Sequence, residues 1–226
     1  MRLGRVVPAF LKPYIKPLYR RFIAAVSPMN SATLPDWIWS LETGELVDTP
    51  EALKEIHPDA VYYQPTPYQV LPYLRTILHS NDVFFDLGSG MGRVVLYVAG
   101  TCKIRKVVGV EFSSDLVQVA RTNLSRLQLQ RNISTPVMLI NADASTIDVG
   151  EGTVYFMFNP FGEETIRKVL RNIWLSLKTN PRQIRILYIN AVFAEILDRV
   201  DWLNSTEDLP PRIGRTIVRS WSNHGR

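Results

Sequence analysis

Apolar runs of strand length alternate with helical stretches from about residue 67 onward, and this alternation constrains the fold more than any other feature. The runs are rich in Val, Ile, Phe and Tyr and occupy residues 82–87, 106–111, 136–141, 153–159 and 184–190. Apolar residues recur at helical spacing over residues 116–127 and 166–177 between them. Because strands that alternate with helices form parallel pairs, we expect an α/β fold with helices on both faces of the sheet.

Two further elements flank these runs. Residues 215–222 predict a final strand, paired antiparallel with a partner near residues 199–205. Thr66 and Pro67 predict the start of a helix ahead of the first strand, with the threonine hydroxyl as its cap. Pro72 leaves two alternatives, since the helix either bends there or begins near residue 71.

The sequence DLGSGMGR, residues 86–93, follows the first apolar run and has glycine at every second position. In an open parallel sheet, ligands bind at such a turn beyond the carboxyl ends of the strands. Neither the Gly-Lys-Ser/Thr of a triphosphate loop nor the G-x-G-x-x-G spacing of a dinucleotide turn is present. The carboxylate of Asp86 repels a pyrophosphate but attracts a ligand with an ammonium and a sulfonium group. These residues predict S-adenosylmethionine as the cofactor.

Two more acids follow the next two runs. Glu111 ends the second run, where a carboxylate can accept hydrogen bonds from both hydroxyls of a ribose. Asp143 follows the third run in Asn141-Ala142-Asp143-Ala144 and can accept from the amino group of an adenine. Each acid alone is also typical of a solvated strand end or a helix cap, but three acids on successive strands favour one shared ligand.

Residues 82–160 resemble the class I, seven-stranded S-adenosylmethionine-dependent methyltransferases, with DLGSGMGR, GVE, NADA and FNPFG as four successive motifs. The resemblance implies a Rossmann-like, mostly parallel seven-stranded sheet. It also implies a cofactor site with these residues: Asp86, Gly88, Ser89, Gly90 and Gly92 around the methionine moiety, Glu111 at the ribose, and Asp143 with Ala144 at the adenine.

Asn159-Pro160-Phe161-Gly162 leaves the fourth run beside the expected methyl group. The Asn159 side-chain oxygen and the Pro160 carbonyl can accept hydrogen bonds from an amine, and Phe161 can shield or stack on its carrier. The stretch is similar to the Asn-Pro-Pro-aromatic motif of amino-group methyltransferases but lacks the second proline, which counts against a nucleobase target. The alternative is that it only turns the chain and caps the next helix.

Tyr63-Gln64-Pro65-Thr66-Pro67 precedes the core, where a lid could fold over the cofactor. Together with DLGSGMGR and GVE, it resembles the Tyr-x-Pro-Thr-Pro series of the non-SET protein-lysine methyltransferases, which include enzymes acting on mitochondrial membrane proteins and, more distantly, the type acting on the histone H3 globular domain. The resemblance implies that Tyr63 and Thr66 contact the cofactor or the target amine. A stiff linker that feeds a capped helix is the alternative.

The net charge of +5 is concentrated at the start of the chain, where residues 1–22 hold six of the 26 Lys and Arg residues and no acid. The remaining 20 bases and 21 acids balance, which argues against a nucleic-acid groove across the domain. We expect residues 1–60 to form a basic arm and a helical extension, and residues 61–226 to form the methyltransferase domain. The arm either folds over the domain, docks on an anionic membrane or partner, or is a targeting peptide.

Cys102 is the single cysteine, so an internal disulfide cannot form, a zinc module is disfavoured, and a reducing, cytoplasmic location is expected. We expect no metal. The predicted activity is N-methylation, with a protein lysine as the favoured acceptor and a protein as the expected partner. Alternatives are a small molecule, a lipid or a nucleic-acid base as acceptor, or a non-catalytic scaffold that binds S-adenosylmethionine.

Overall fold

A computed structural model of the chain describes residues 41–44 and 63–223. The basic arm, most of the expected extension and the boundary at residue 61 lie outside the described residues, so the proposed division into domains stays a prediction. No helix in the described ranges is both long and apolar enough to cross a membrane.

Thirteen helices and strands follow one another over residues 71–222 of the described chain. The helices are α1 (Leu71–Ile77), α2 (Arg93–Thr101), α3 (Ser114–Gln130), α4 (Glu163–Thr179) and α5 (Ala194–Asp198). The strands are β1 (Val83–Leu87), β2 (Lys106–Glu111), β3 (Val137–Asn141), β4 (Val154–Phe158), β5 (Arg185–Ile189), β6 (Asn204–Thr206), β7 (Arg212–Ile213) and β8 (Thr216–Ser222).

The strands form one twisted sheet in the order β3-β2-β1-β4-β5-β8-β6. The first five strands in this order are parallel. Strand β8 lies antiparallel between β5 and β6, and the two-residue β7 pairs only with β8. The predicted Rossmann-like α/β fold with seven strands is therefore confirmed, with β7 as a short addition. Because β1 to β4 run in the same direction, their carboxyl ends and the residues after them lie at one edge of the sheet.

Helices cover both faces of the sheet, as expected from the alternation of elements. On one face, α1, α2 and α3 pack on alternate strand residues such as Phe84 and Phe156. On the other face, α4 and α5 pack on the intervening residues such as Phe85 and Tyr155. The central strand β1 is buried along its whole length, because helices shield both of its faces.

Of the two alternatives that Pro72 leaves, a helix that begins near residue 71 is confirmed, and a start at Thr66 is wrong. Helix α1 begins at Leu71 after Val70, which makes no side-chain cap, and residues 67–70 form a separate turn closed by the Val70 N–H and the Pro67 carbonyl. Pro72 explains the later start, since proline has no N–H to donate and is tolerated only in the first turn of a helix. The antiparallel partner of the last strand is present, but it is only the three residues of β6.

Candidate cofactor and acceptor site

The glycine turn lies between β1 and α2 at the carboxyl edge of the sheet. The backbone N–H groups of Gly88 and Ser89 both donate to the carbonyl of Val110 in β2, at 2.9 Å. Gly88, Gly90 and Gly92 have φ values of 83°, 51° and 84°, a region that favours glycine because it has no Cβ. The turn is therefore fixed to the neighbouring strand, and of its three glycines Gly88 is exposed while Gly90 and Gly92 are buried.

Two predicted acceptor-site residues pack directly on this turn. A Cβ at Gly88 would lie 2.2 Å from Cβ of Pro160, and a Cβ at Gly90 would lie 2.0 Å from the ring of Tyr63. Neither distance is possible between nonbonded carbons, so glycine is required at both positions for these contacts. The structure thus brings the Asn-Pro-Phe-Gly and Tyr-x-Pro-Thr-Pro stretches into contact with one turn.

Asp86 is the penultimate residue of β1 and is 3 % exposed. Within residues 41–44 and 63–223, no hydrogen bond or ion pair engages its carboxylate. Burial, together with repulsion from Glu111, raises the pKa of Asp86 to about 8. A buried acid without a partner is costly, and a cationic ligand beside it would relieve that cost.

Glu111 lies at the end of β2 and connects to the same turn. Its carboxylate oxygens accept hydrogen bonds from the Gly90 N–H at 2.9 Å and the Ser113 N–H at 3.0 Å. Burial raises the pKa of Glu111, and these backbone hydrogen bonds oppose the rise. The two acids, together with the exposed Gly88, fit a ligand that carries both a cation and hydroxyl groups.

The remaining predicted cofactor residues lie around this edge without a contact that assigns their role. Asp143 follows β3 and accepts a hydrogen bond from the Ser145 N–H at 2.8 Å, while Ala144 is buried in the adjoining core. Thr66 is buried, and its carbonyl accepts from Arg93 Nη1 at 2.9 Å. The adenine role of Asp143 and Ala144 and the cofactor role of Thr66 stay predictions.

Asn159 follows β4 in a left-handed backbone conformation, with φ of 42°. The Tyr188 hydroxyl donates to its Oδ1 at 3.3 Å, and burial raises the pKa of Tyr188 to about 12, so this hydroxyl keeps its proton at neutral pH. An amide oxygen accepts two hydrogen bonds, so Oδ1 retains capacity for an amine. Phe161 is only 8 % exposed and packs in the core on the α4 face, and its predicted contact with the acceptor stays a prediction.

Sequence reasoning missed the role of two residues, Arg93 and Asn123, that fix a distant segment beside the turn. Arg93 and Asn123 make hydrogen bonds to a short segment around Thr43, across 50 and 81 residues of chain. The signal in the sequence was Asn123. It lies three residues after Ala120 and four before Leu127, on the apolar stripe of α3, and its side chain is fully buried. A buried amide needs partners, so such a position indicates a polar connection.

Substituting alanine at Gly90 is expected to weaken cofactor binding about fivefold, because the new Cβ displaces the Tyr63 ring. Gly214→Ala is the matched control, since Gly214 also has a positive φ, 61°, and nothing lies within 4 Å of a Cβ there. Both variants should lose about 1 kcal/mol of unfolding free energy through backbone strain. Titration with S-adenosylhomocysteine and chemical denaturation separate the two effects, and equal cofactor affinities in the two variants would contradict the Tyr63 contact.

Comparisons with known proteins agree with this geometry. The family described as Histone methylation protein DOT1 matches residues 51–133, which include the glycine turn, Glu111 and Tyr63. A protein-lysine N-methyltransferase from Saccharolobus islandicus is 28 % identical over 100 residues, which are 43 % of this chain and 60 % of that protein. The alignment thus spans less than two thirds of the length of this curated relative.

Solved structures with similar folds include two methyltransferases in complex with S-adenosyl-L-homocysteine. An RNA methyltransferase from Salinibacter ruber is 22 % identical with a TM-score of 0.47, over 80 % of this chain and 95 % of that chain. A methyltransferase from Thiobacillus denitrificans is 18 % identical with a TM-score of 0.44, over 63 % of this chain and 56 % of that chain.

No cluster of side chains suited to a metal ion is present among residues 41–44 and 63–223.

The strand order, the glycine turn and the family match converge on one assignment. The turn and its two acids lie at the carboxyl edge of the sheet, and the match to the DOT1 family covers all of them. The chain has the Rossmann-like fold found in the class I, seven-stranded S-adenosylmethionine-dependent methyltransferases, and over residues 51–133 it is similar to the DOT1 family.

Proposed function

We propose that this protein transfers a methyl group from S-adenosylmethionine to the ε-amine of a lysine in a protein substrate. The proposal rests on the contact between Pro160 and Gly88. This contact holds Asn159 and Pro160, the expected acceptor-binding pair, against the turn assigned to the cofactor. An amine bound to that pair lies beside the cofactor. The match to the DOT1 family and the lysine-modifying relative support the choice of a protein lysine.

The cofactor supplies a methyl carbon that is already activated by its positive sulfur. Asp86, Glu111 and the glycine turn would hold the cofactor. Once bound, it would supply this carbon to the acceptor nitrogen, with the sulfur keeping the electron pair of the broken bond and the nitrogen losing one proton to solvent. The protein has to align the nitrogen in line with that bond. Asn159 Oδ1 and the Pro160 carbonyl accept hydrogen bonds from the amine, and Tyr188 keeps the Asn159 amide oriented.

Charge at this edge of the sheet favours a cationic acceptor over a phosphate-bearing one. Asp86, Glu111 and Asp143 end or follow three successive strands. The nearest cation along the chain, Arg93, is engaged by the carbonyls of Thr43 and Thr66 and by the Thr43 hydroxyl. Where these acids ionise, they favour a lysine side chain over a nucleic-acid backbone at this edge.

Transfer of a labelled methyl group tests this proposal. The protein is incubated with tritiated S-adenosylmethionine and a cell lysate, and the products are divided into protein, nucleic acid and extractable lipid or small molecules. We expect the label in protein and, after acid hydrolysis, in N-methylated lysine. Label that is sensitive to ribonuclease or extractable into organic solvent would contradict a lysine acceptor, and a lack of transfer with intact cofactor binding would favour the scaffold alternative.

A further inference from the structure

Residues 41–44, which we call the strap, pack against the glycine turn although they precede it by more than 40 residues. Leu41 and Thr43 of the strap are buried, and Thr43 is fully so. The Tyr63 hydroxyl, at the far end of the ring that covers Gly90, donates to the Thr43 carbonyl at 3.0 Å. The strap therefore supports the side chain that closes one side of the turn.

Arg93 binds the strap from the first residue of α2. Its Nε donates to Thr43 Oγ1 at 2.8 Å, and its Nη2 donates to the Thr43 carbonyl at 3.0 Å. Its Nη1 donates to the Thr66 carbonyl at 2.9 Å, and its guanidinium lies 4.4 Å from the centre of the Tyr68 ring. One side chain thus joins the strap and the Tyr-x-Pro-Thr-Pro stretch to the end of the glycine turn.

Asn123 binds the strap from the middle of α3. Its Oδ1 accepts from the Glu42 N–H at 2.9 Å, and its Nδ2 donates to the Glu42 carbonyl at 3.0 Å and to the Met91 carbonyl at 3.1 Å. Met91 is a residue of the glycine turn itself. A buried amide with both of its ends engaged in this way fixes the strap and the turn relative to each other.

We infer that the strap is a wall of the cofactor site, and that Arg93 and Asn123 are positioning residues that couple its attachment to cofactor binding. The coupling follows because a ligand that binds the turn with the Tyr63 ring in place stabilises the attached strap, and an attached strap raises affinity for the ligand. The inference rests on the cofactor site proposed above and is independent of the acceptor.

Calorimetric titration with S-adenosylhomocysteine tests the coupling on the full chain. Arg93→Met and Asn123→Leu are each expected to lower affinity about tenfold. Arg182→Met is the matched control, because Arg182 also donates to several backbone carbonyls, those of Val149, Gly152 and Asn180, but lies just before β5 at the opposite edge of the sheet. All three variants should melt at lower temperature, while the control keeps its affinity within twofold.

Two further measurements separate positioning from a general loss of stability. Tyr63→Phe removes only the hydroxyl bound to Thr43, and combining it with Asn123→Leu should weaken binding no further than Asn123→Leu alone, because both act through the strap. Amide hydrogen exchange in a peptide spanning residues 41–44 should slow on addition of S-adenosylhomocysteine in the parent and not in Asn123→Leu.

The outcomes distinguish this inference from the cofactor assignment. If the parent does not bind S-adenosylhomocysteine, the cofactor assignment fails. If the parent binds and Arg93→Met and Asn123→Leu bind within twofold of it, the strap is not part of the site. Where Arg93→Met does not fold, Tyr63→Phe and Thr43→Val decide the question, since each removes one hydroxyl from the contacts that attach the strap.

Discussion

Replacing Asn159 with glycine is expected to lower kcat for methyl transfer about 100-fold while affinity for S-adenosylhomocysteine stays within threefold. The variant removes the amide that accepts from the amine, and loss of one positioned hydrogen-bonding group typically has an effect of this size on kcat. Glycine is preferred to alanine here because Asn159 has a φ of 42°, which glycine adopts without strain.

Asn190→Gly is the matched control for this variant. Asn190 follows the neighbouring strand β5 in the same left-handed conformation, with φ of 52°, so the two variants make equivalent backbone changes. We expect Asn190→Gly to keep kcat within threefold of the parent. Equal losses in the two variants, measured by initial rates at saturating cofactor, would show that Asn159 acts through the backbone and not through its amide.

Replacing Asp86 with asparagine is expected to weaken S-adenosylhomocysteine binding between about tenfold and 100-fold, the range for losing a hydrogen bond to a charged group. Asparagine keeps the shape of the side chain, so the change isolates the charge. The same variant should be more stable than the parent at pH 8, because it removes a buried acid that no described residue neutralises. Opposite effects on affinity and stability are expected where a bound cation neutralises a buried acid.

The raised pKa of Asp86 gives this prediction a pH dependence. Folding moves the pKa from 3.8 to about 8, so between these values the folded state binds the proton more tightly than the unfolded state. The contribution of Asp86 to stability is therefore fully present below pH 4 and is lost as the pH rises toward 8. Denaturation at several pH values should show a smaller decline over this window in Asp86→Asn.

Cofactor affinity should change with pH in the opposite direction, since a cation favours the ionised carboxylate. Between pH 6 and 7, below the usual range of an α-amino group, the ionised fraction of an acid with a pKa of about 8 rises about tenfold. Affinity of the parent for S-adenosylhomocysteine should rise with it and that of Asp86→Asn should not. Parallel pH profiles for the two proteins would show that Asp86 does not bind the cation.

The sequence was sufficient to predict what depends on local pattern. Alternating apolar runs predict the parallel sheet, and because parallel strands share a carboxyl edge, Asp86, Glu111 and Asn159 could be placed near one another before any contact was known. The spacing of the glycines also predicts a turn with positive φ values. These predictions required no knowledge of side-chain packing.

The missed features depend on contacts between distant parts of the chain. Asn123 and Glu42 are 81 residues apart, and Arg93 and Thr43 are 50 residues apart, so no periodicity connects them. The expected helix start at Thr66 failed for a different reason, because a threonine before a proline is typical of both a helix cap and an extended stretch. The helix begins at Leu71, which places Pro72 in its first turn. In the structure, the Thr66 carbonyl instead accepts from Arg93.

Cofactor binding is the decisive test of the assignment of the glycine turn to S-adenosylmethionine. The purified chain is titrated by calorimetry with S-adenosylmethionine, S-adenosylhomocysteine, NADH and ATP under the same conditions. We expect the chain to bind both sulfur nucleosides and neither of the two phosphate-bearing ligands. Asp86→Asn should bind the sulfur nucleosides more weakly than the parent. Uptake of NADH or ATP without either sulfur nucleoside would contradict the assignment of the glycine turn and its two buried acids.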